Sequence, residues 1–294
     1  MSEKYAFVDS EVGNFPLRKM CTWANVSRSG YYEWKDRAPS LTAKWRAELG
    51  TIIEHLFADS AGTYGYRRIH ASLARAGRYC DPQTVRSIMV ERQLVACQPR
   101  RRGPRTTIAA DAGDLPDLVD RDFSATEPGQ KLVGDITFIS TWQGWVYLAT
   151  VLDCFSKKVV GYAMASHMRT ELVTGALAMA QRNGHIRPGT TIFHSDRGSQ
   201  YTSEEFAKFT TTAGITRSVG RTGICYDNAW AESFNATLKV ERVYRTVYPT
   251  RKHAYKDIAN YLELRYNQKR LHSSLDYQTP NEVEHAWREL QQAA

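Results

Sequence analysis

Asp135, Asp196 and Glu232 are the acidic residues whose settings point to chemistry. Asp135 lies inside an apolar, β-rich run, Leu132-Val133-Gly134-Asp135-Ile136-Thr137-Phe138. An ionised carboxylate there is costly unless it is paired or binds a metal. Asp196 comes just after the short run Thr191-Ile192-Phe193-His194, at the C-terminal end of a strand, where α/β sites gather. Glu232 lies on a helix. At ~100° per residue it shares a face with Asn228, Asn235 and Lys239, and Trp230, Phe234 and Leu238 take the other. Three converging carboxylates repel one another unless cations lie between them. Two Mg²⁺ ions ~3.5–4 Å apart resolve the repulsion, because hard cations take oxygen ligands and Mg²⁺ keeps positions open for phosphate and water. The chemistry is in-line displacement at a phosphodiester, one ion serving the attacking oxygen and the other the leaving oxygen. Lys239, seven residues after Glu232, is placed to grip a DNA backbone near the cut. Spacing alone is weak: residues 111–294 hold 21 acids, so some pair 36 apart is expected by chance. Context and element order carry the assignment.

The elements that must position these residues are legible from turns and periodicity. Leu132–Ser140, Trp145–Cys154 and Lys158–Ala165 read as three strands joined by short turns, an antiparallel meander. A helix over Thr170–Arg182, a strand at Thr191–His194, a helix over Ser203–Thr212 and a strand at Ile215–Val219 follow. A helix capped by Asp227 or Asn228 then runs to about Arg242. The order β-β-β-α-β-α-β-α fits a mixed sheet flanked by helices, the order of the ribonuclease-H-like fold. This α/β core is expected over 128–245. A helical C-terminal region, 246–294, carries Tyr255, Ile258, Tyr261, Leu262 and Tyr266 on one stripe.

Upstream of the core the charge is uneven. Of 39 Lys+Arg and 31 Asp+Glu, residues 1–110 hold 18 and 10, and residues 111–294 hold 21 and 21. The whole surplus of +8 therefore lies in the first third. Residues 67–105 hold ten arginines and no lysine. Guanidinium groups suit phosphates and guanine edges, so the block points to nucleic acid, with a merely solvated basic face as the alternative. Residues 1–60 read as helical: Phe15, Leu17, Met20, Cys21 and Ala24 form one stripe, Ser27 caps a short helix, and Leu41–Phe57 carries Trp45, Leu49, Ile52, Ile53 and Leu56, its aromatics expected in the core. Region 61–97 reads as a helix-turn-helix. Its first helix starts after Gly65 and ends at Gly77; Asp81 with Pro82 opens the second. Gln83, Thr84, Arg86 and Ser87 face outward near its N-terminus, where recognition helices meet bases. A plain helical hairpin is the alternative. Residues 98–127 are a linker, first basic and then acidic. Candidate DNA contacts are Arg67, Arg68, Arg86, Arg100, Arg101, Arg102 and Arg105, and in the tail Lys269 and Arg270, which could equally coat a helix packed on the core.

Other chemistries fit less well. His55, His70, Cys80 and Cys97 match no common zinc spacing, and neither a Gly-x-Ser-x-Gly elbow nor a Walker loop is present. Asp153 ends a strand before a turn and reads as a turn stabiliser. His194 adjoins Asp196 and is a proton-handling residue, a buried strand residue, or a donor that supports Asp196. Five scattered cysteines make no disulfide framework, and no long apolar run spans a membrane. A reducing cytoplasm is the expected setting.

Three stretches resemble a known family: Gly134-Asp135-Ile136-Thr137-Phe138-Ile139, His194-Ser195-Asp196-Arg197-Gly198-Ser199-Gln200-Tyr201, and Asp227 to Lys239. Thirty-five residues separate Asp196 from Glu232. The chain resembles the DDE transposases of bacterial insertion sequences, in the retroviral integrase superfamily, and within them the second-frame product of the insertion sequence three family. Val26–Tyr32, Tyr64–Ile69 and Tyr266–Leu275 add to the likeness, which covers nearly the whole chain. The resemblance implies that Asp135, Asp196 and Glu232 bind two Mg²⁺ ions, with Mn²⁺ as a substitute. It implies DNA cleavage at element ends followed by strand transfer. It also implies an upstream-frame partner, or fusion, that carries a helix-turn-helix and leucine zipper; no heptad zipper is found here. Two DNA ends must meet, so at least a dimer on DNA is expected. A repressor with an inactive nuclease fold and a structure-directed nuclease without strand transfer are the alternatives.

Overall fold

The computed structural model describes residues 1–98, 115–220 and 228–293. The predicted meander is β1 (Lys131–Thr141), β2 (Gly144–Asp153) and β3 (Val159–Ala165), paired antiparallel in sequence order. β4 (Ile192–Ser195) and β5 (Thr216–Val219) join parallel to β1, giving the order β3-β2-β1-β4-β5. Both short strands begin one residue later than the sequence suggests.

The period of two sorts side chains between two cores. Leu132, Val151, Val160 and Phe193 pack on one face with α7 (Thr170–Arg182) and α9 (Glu204–Thr212), which supply Leu172, Leu177 and Phe206. Val133, Ile139, Val146 and Leu148 pack on the other with Phe234 and Leu238 of α10 (Ala229–Glu241) and with Ile258 of α11 (Arg251–Asn260). Each such buried side chain contributes about 1.5–3 kcal/mol relative to exposure. A Cβ on Gly161 of β3 would lie 2.2 Å from the Ala176 carbonyl oxygen, so glycine lets α7 lie directly on the sheet. A one-turn helix, α8 (Ser199–Thr202), absent from the sequence reading, follows β4.

The first third is helical, as expected: α1 (Ser2–Ser10), α2 (Leu17–Trp23), α3 (Arg28–Asp36), α4 (Leu41–Asp59), α5 (Tyr66–Arg75) and α6 (Pro82–Glu91). Ser27 caps α3 and Asp81 caps α6, accepting from the Gln83 amide at 2.7 Å. Leu49 and Ile53 of α4 share a core with Ile69 and Leu73 of α5 and with Val85, Ile88 and Met89 of α6. The expected boundary at residue 60 thus falls between helices of one core. Trp45 and Phe15 were expected in apolar stripes; both are exposed, at 45% and 51%. Trp45 lies a turn before the buried segment of α4, beside Arg46, which reaches Ser87 and Glu91 of α6.

The tail folds back on both regions. A π-helical turn, Tyr261–Tyr266, continues α11 and buries Tyr261, Leu262 and Tyr266; α12 (Pro280–Ala293) ends the described chain. Tyr64 Oη donates to the Lys269 carbonyl and accepts from the Leu271 amide, and Arg68 Nε donates to the Leu271 carbonyl at 3.0 Å. Arg265 donates to the carbonyls of Asp59 and Ser60.

Candidate active site

The β1–β4 register brings the first two carboxylates together. Val133 pairs with His194; Asp135 and Asp196 each lie two residues further on. Parallel neighbours run ~4.8 Å apart, so both acids stand at the same level where β4 ends. Gly134 makes room: a Cβ there would lie 2.3 Å from the Phe193 ring. Beyond Val133, the β1–β4 pairing register ends, and α10 reaches β1 here through Asn228 and Asn235.

Helix α10 presents Glu232, Asn235 and Lys239 to this point. Asn235, buried, donates from Nδ2 to Asp135 Oδ2 at 2.8 Å, and the Ile136 amide donates to Asp135 Oδ1 at 2.8 Å. The sequence had placed Asn235 on the Glu232 face without giving it a task; the i, i+3 spacing was the available signal. Asn228 was expected as a possible side-chain cap. Its side chain instead donates to the Gly134 carbonyl at 3.1 Å, tying the helix start to β1. Asp227 lies outside the described residues.

Electrostatics tie the three acids into one cluster. Desolvation raises the Asp135 carboxyl to about 7, and repulsion from Asp196 and then Glu232 adds to it, against the hydrogen bonds from Ile136 and Asn235. Asp196 keeps an exposed edge, yet the protein around its carboxyl raises its pKa by desolvation. The Gly198 amide opposes that rise, and Glu232 adds to it. Buried Tyr201 lies beneath both acids: desolvation, Asp135 and Asp196 hold its hydroxyl well above the usual range and therefore protonated. Burial lowers the Lys239 pKa, and Asp135 partly restores it.

Among the described residues, no three His, Cys, Asp or Glu side chains stand close enough together to hold a metal as they are. The donor set still fits a hard divalent cation: carboxylate oxygens that raise one another's pKa bind most readily where positive charge is supplied. Asn235 Oδ1, buried and without a hydrogen-bond partner among the described residues, offers a further acceptor beside them.

The neighbouring polar residues take supporting tasks. His194 is fully buried and shares a 2.8 Å hydrogen bond between Nδ1 and Ser218 Oγ; the Ser218 hydroxyl also accepts from the Leu118 amide. His194 is thus a buried strand residue, tied to β5 through Ser218. Asp153 is buried and accepts from the Gly129 amide and from the Ser156 amide and hydroxyl, so it stabilises a turn.

The expected DNA contacts divide. Arg67, Arg86 and Lys269 are exposed. Arg100, Arg101, Arg102 and Arg105 lie outside the described residues. Arg270 is a correction: its guanidinium is buried against Glu241, with hydrogen bonds of 2.8–3.0 Å. It pairs the end of α10 with the tail and is withheld from any phosphate. Arg68 is half-buried and committed to the Leu271 carbonyl, so it too is a structural contact.

The chain matches known family models and relatives. Two family models described as integrase core domain match residues 125–225 and 213–280, and one described as an HTH-like domain matches 44–102. The chain is similar to the transposase InsF for insertion sequence IS3A of Escherichia coli K12, 32% identical over 96% of this chain and 98% of that protein. It is similar also to an uncharacterized 31 kDa protein of insertion element IS600 from Shigella sonnei, 36% identical over 89% of this chain and 96% of that one. A solved intasome of simian T-cell lymphotropic virus in complex with PP2A regulatory subunit B56 gamma is similar at 16% identity, covering 74% of this chain and 70% of that chain with a TM-score of 0.46. The chain belongs to the IS3 family of insertion-sequence transposases, and its ribonuclease-H-like integrase core makes it an enzyme of the DDE transposase/integrase class.

Proposed function

We propose that this transposase cuts the phosphodiester at the ends of its element and then joins the freed 3′-hydroxyl to a second phosphodiester. Asp135, Asp196 and Glu232 are the residues that would hold Mg²⁺, two ions in all, with Mn²⁺ able to substitute. Bound there, the cations supply charge neutralisation for an in-line displacement. The observation that carries the reading is the β1–β4 register, Val133 against His194, which sets Asp135 and Asp196 side by side under α10.

The chain's own groups orient this chemistry. Asn235 and the Ile136 amide fix the Asp135 carboxylate from two sides. The Gly198 amide, 3.0 Å from Asp196 Oδ1, fixes Asp196. Lys239 offers a cation to the DNA backbone next to the scissile phosphate. Positioning and charge account for the catalysis, with no covalent enzyme intermediate.

We assign the chemistry to 128–245 and DNA binding to 61–97, with Arg67 and Arg86 on its exposed side and the 98–127 linker adding phosphate contacts. We further infer action as at least a dimer on DNA, with the product of the upstream frame as partner or fusion, in the bacterial nucleoid. A strand-transfer assay on DNA carrying the element's ends, with Mg²⁺, tests the reading. Joined products are expected. Cleavage without joining indicates a plain nuclease, and binding without cleavage a repressor.

A further inference from the structure

Helices α1, α2 and α3 share a small core of their own. Val8 of α1, Met20 and Cys21 of α2 and Tyr31 of α3 are buried together, with Val26 and Trp34 packed on them. Residues 24–27 join α2 to α3, and a turn of this length is that of DNA-reading helical hairpins. The Val26 amide donates to the Cys21 carbonyl at 2.9 Å, and the Asn25 amide donates to the Thr22 carbonyl at 3.1 Å. This is the Schellman ending of a helix, which needs a left-handed residue just past it. Asn25 takes that conformation at φ 54°, and asparagine visits it more readily than most side chains. Ser27 then caps α3, accepting from the Gly30 amide at 3.0 Å. Helix α5 ends the same way: the Arg78 amide donates to the Leu73 carbonyl at 2.9 Å, around Gly77 at φ 72°.

Helix α1 braces α3 from behind. Asp9 accepts from Tyr31 Oη at 2.6 Å and from Lys35 Nζ at 2.8 Å. A Cβ on Gly30 would lie 2.4 Å from Tyr5 Oη, so glycine lets α3 lie close to α1. At ~100° per residue, Gly30, Tyr31 and Trp34 take the inner side of α3. Arg28, Ser29, Tyr32, Glu33 and Asp36 take the other side, and all five are exposed. The charge is uneven along this segment. Residues 17–37 hold five Lys+Arg against two Asp+Glu, whereas residues 1–16 hold one against three. Arg18 and Lys19 of α2 are exposed as well.

A short turn, a braced second helix with an exposed polar face, and a surplus of cations together match duplex DNA. The major groove admits an α-helix, and residues near the start of that helix meet base edges. We propose that residues 17–36 are a second helix-turn-helix, whose α3 reads a major groove at bases separate from those under α6. Arg28, Ser29 and Tyr32 face the base edges, and Arg18 and Lys19 face the phosphates. An arginine so placed selects guanine through O6 and N7. The DNA bound by the chain is then bipartite, one part for each hairpin. The inference goes beyond the reading of 61–97 as the DNA-binding region. It does not depend on the chemistry proposed for Asp135, Asp196 and Glu232.

The experiment selects bound DNA from a pool of duplexes with a randomised centre, long enough to hold two half-sites. It uses the full-length protein, Arg28→Ala and Arg86→Ala. The wild-type protein is expected to enrich a motif in two parts. Arg28→Ala should lose the base preference in one part and Arg86→Ala in the other, each binding the wild-type motif about tenfold more weakly. Tyr32→Ala, at a second exposed position on the same face, should lose the same part as Arg28→Ala. Arg18→Ala/Lys19→Ala should leave the motif intact and lower the salt slope of binding by about two units, one per phosphate contact. A wild-type pool with no motif, or with one part only, overturns the proposal. So does a two-part motif that Arg28→Ala and Tyr32→Ala leave intact, or loss of the same positions in Arg28→Ala and Arg86→Ala. An unchanged salt slope overturns the phosphate contacts of α2. A changed oligomeric state in sedimentation with an unchanged motif also overturns the proposal, and would make α3 a contact between copies of this chain.

Discussion

Asn235 Nδ2 reaches 2.8 Å to Asp135 Oδ2, so a helix side chain one turn past Glu232 sets the orientation of a strand carboxylate. Partners that orient metal-ligating groups typically matter by about 10–100-fold. Asn235→Ala should lower the cleavage rate by that order and raise the Mg²⁺ concentration needed for half-maximal rate, while DNA affinity stays unchanged. A Mg²⁺ titration of cleavage checks it; an unchanged requirement would make Asn235 a packing residue only.

Gly134 and Phe193 form a second coupled pair. The added Cβ of Gly134→Ala would meet the Phe193 ring at 2.3 Å, and the ring is buried in the core shared with α9. Overpacking of this kind costs about 1–3 kcal/mol. Phe193→Leu should relieve part of it, giving a non-zero coupling energy in a denaturation double-mutant cycle. Strict additivity would mean that the two do not press on each other.

Much of this site is legible in the sequence, because hydrophobic alternation around Asp135 and the turn-bounded strands carry local signals. The contacts that finish it are not. Asn235 pairs with a residue 100 positions away, and the spacing of α10 gives only the face on which it lies. Arg270 shows the limit more sharply. Beside Lys269 and tyrosines it reads as a DNA contact or a packed surface, and only the tertiary fold reveals Glu241 opposite it. Trp45 errs in the opposite sense: its helical spacing is apolar, yet it stays 45% exposed.

The buried Glu241–Arg270 pair joins α10 to the tail. Removing one partner of such a pair costs about 3–5 kcal/mol, because the other charge is left buried alone. Arg270→Ala should therefore lower stability by that order in urea unfolding without changing the salt dependence of DNA binding in the molecules that remain folded. Lys269→Ala, at an exposed position, should leave stability alone. A flattened salt slope for Arg270→Ala would restore the DNA contact.

His272 couples stability to pH. Desolvation, aided by Arg270, Arg68 and Lys157, lowers its pKa to about 3, against about 6.5 in an unfolded chain. A depressed folded pKa means that the unfolded state binds the proton first. The contribution is complete above pH ~6.5 and is lost as pH falls toward about 3, by up to about 1.4 kcal/mol per pH unit. His272→Gln should flatten the stability profile within that window. A profile parallel to wild type would show that the ring is protonated in the fold.

The central claim is that Asp135, Asp196 and Glu232 act as one centre. Its most direct test is the rate of strand joining by Asp135→Asn, Asp196→Asn and Glu232→Gln, each measured beside its affinity for the same element-end DNA. Loss of joining in all three with DNA affinity retained is the predicted result. Joining at the wild-type rate in any one of them would contradict the account.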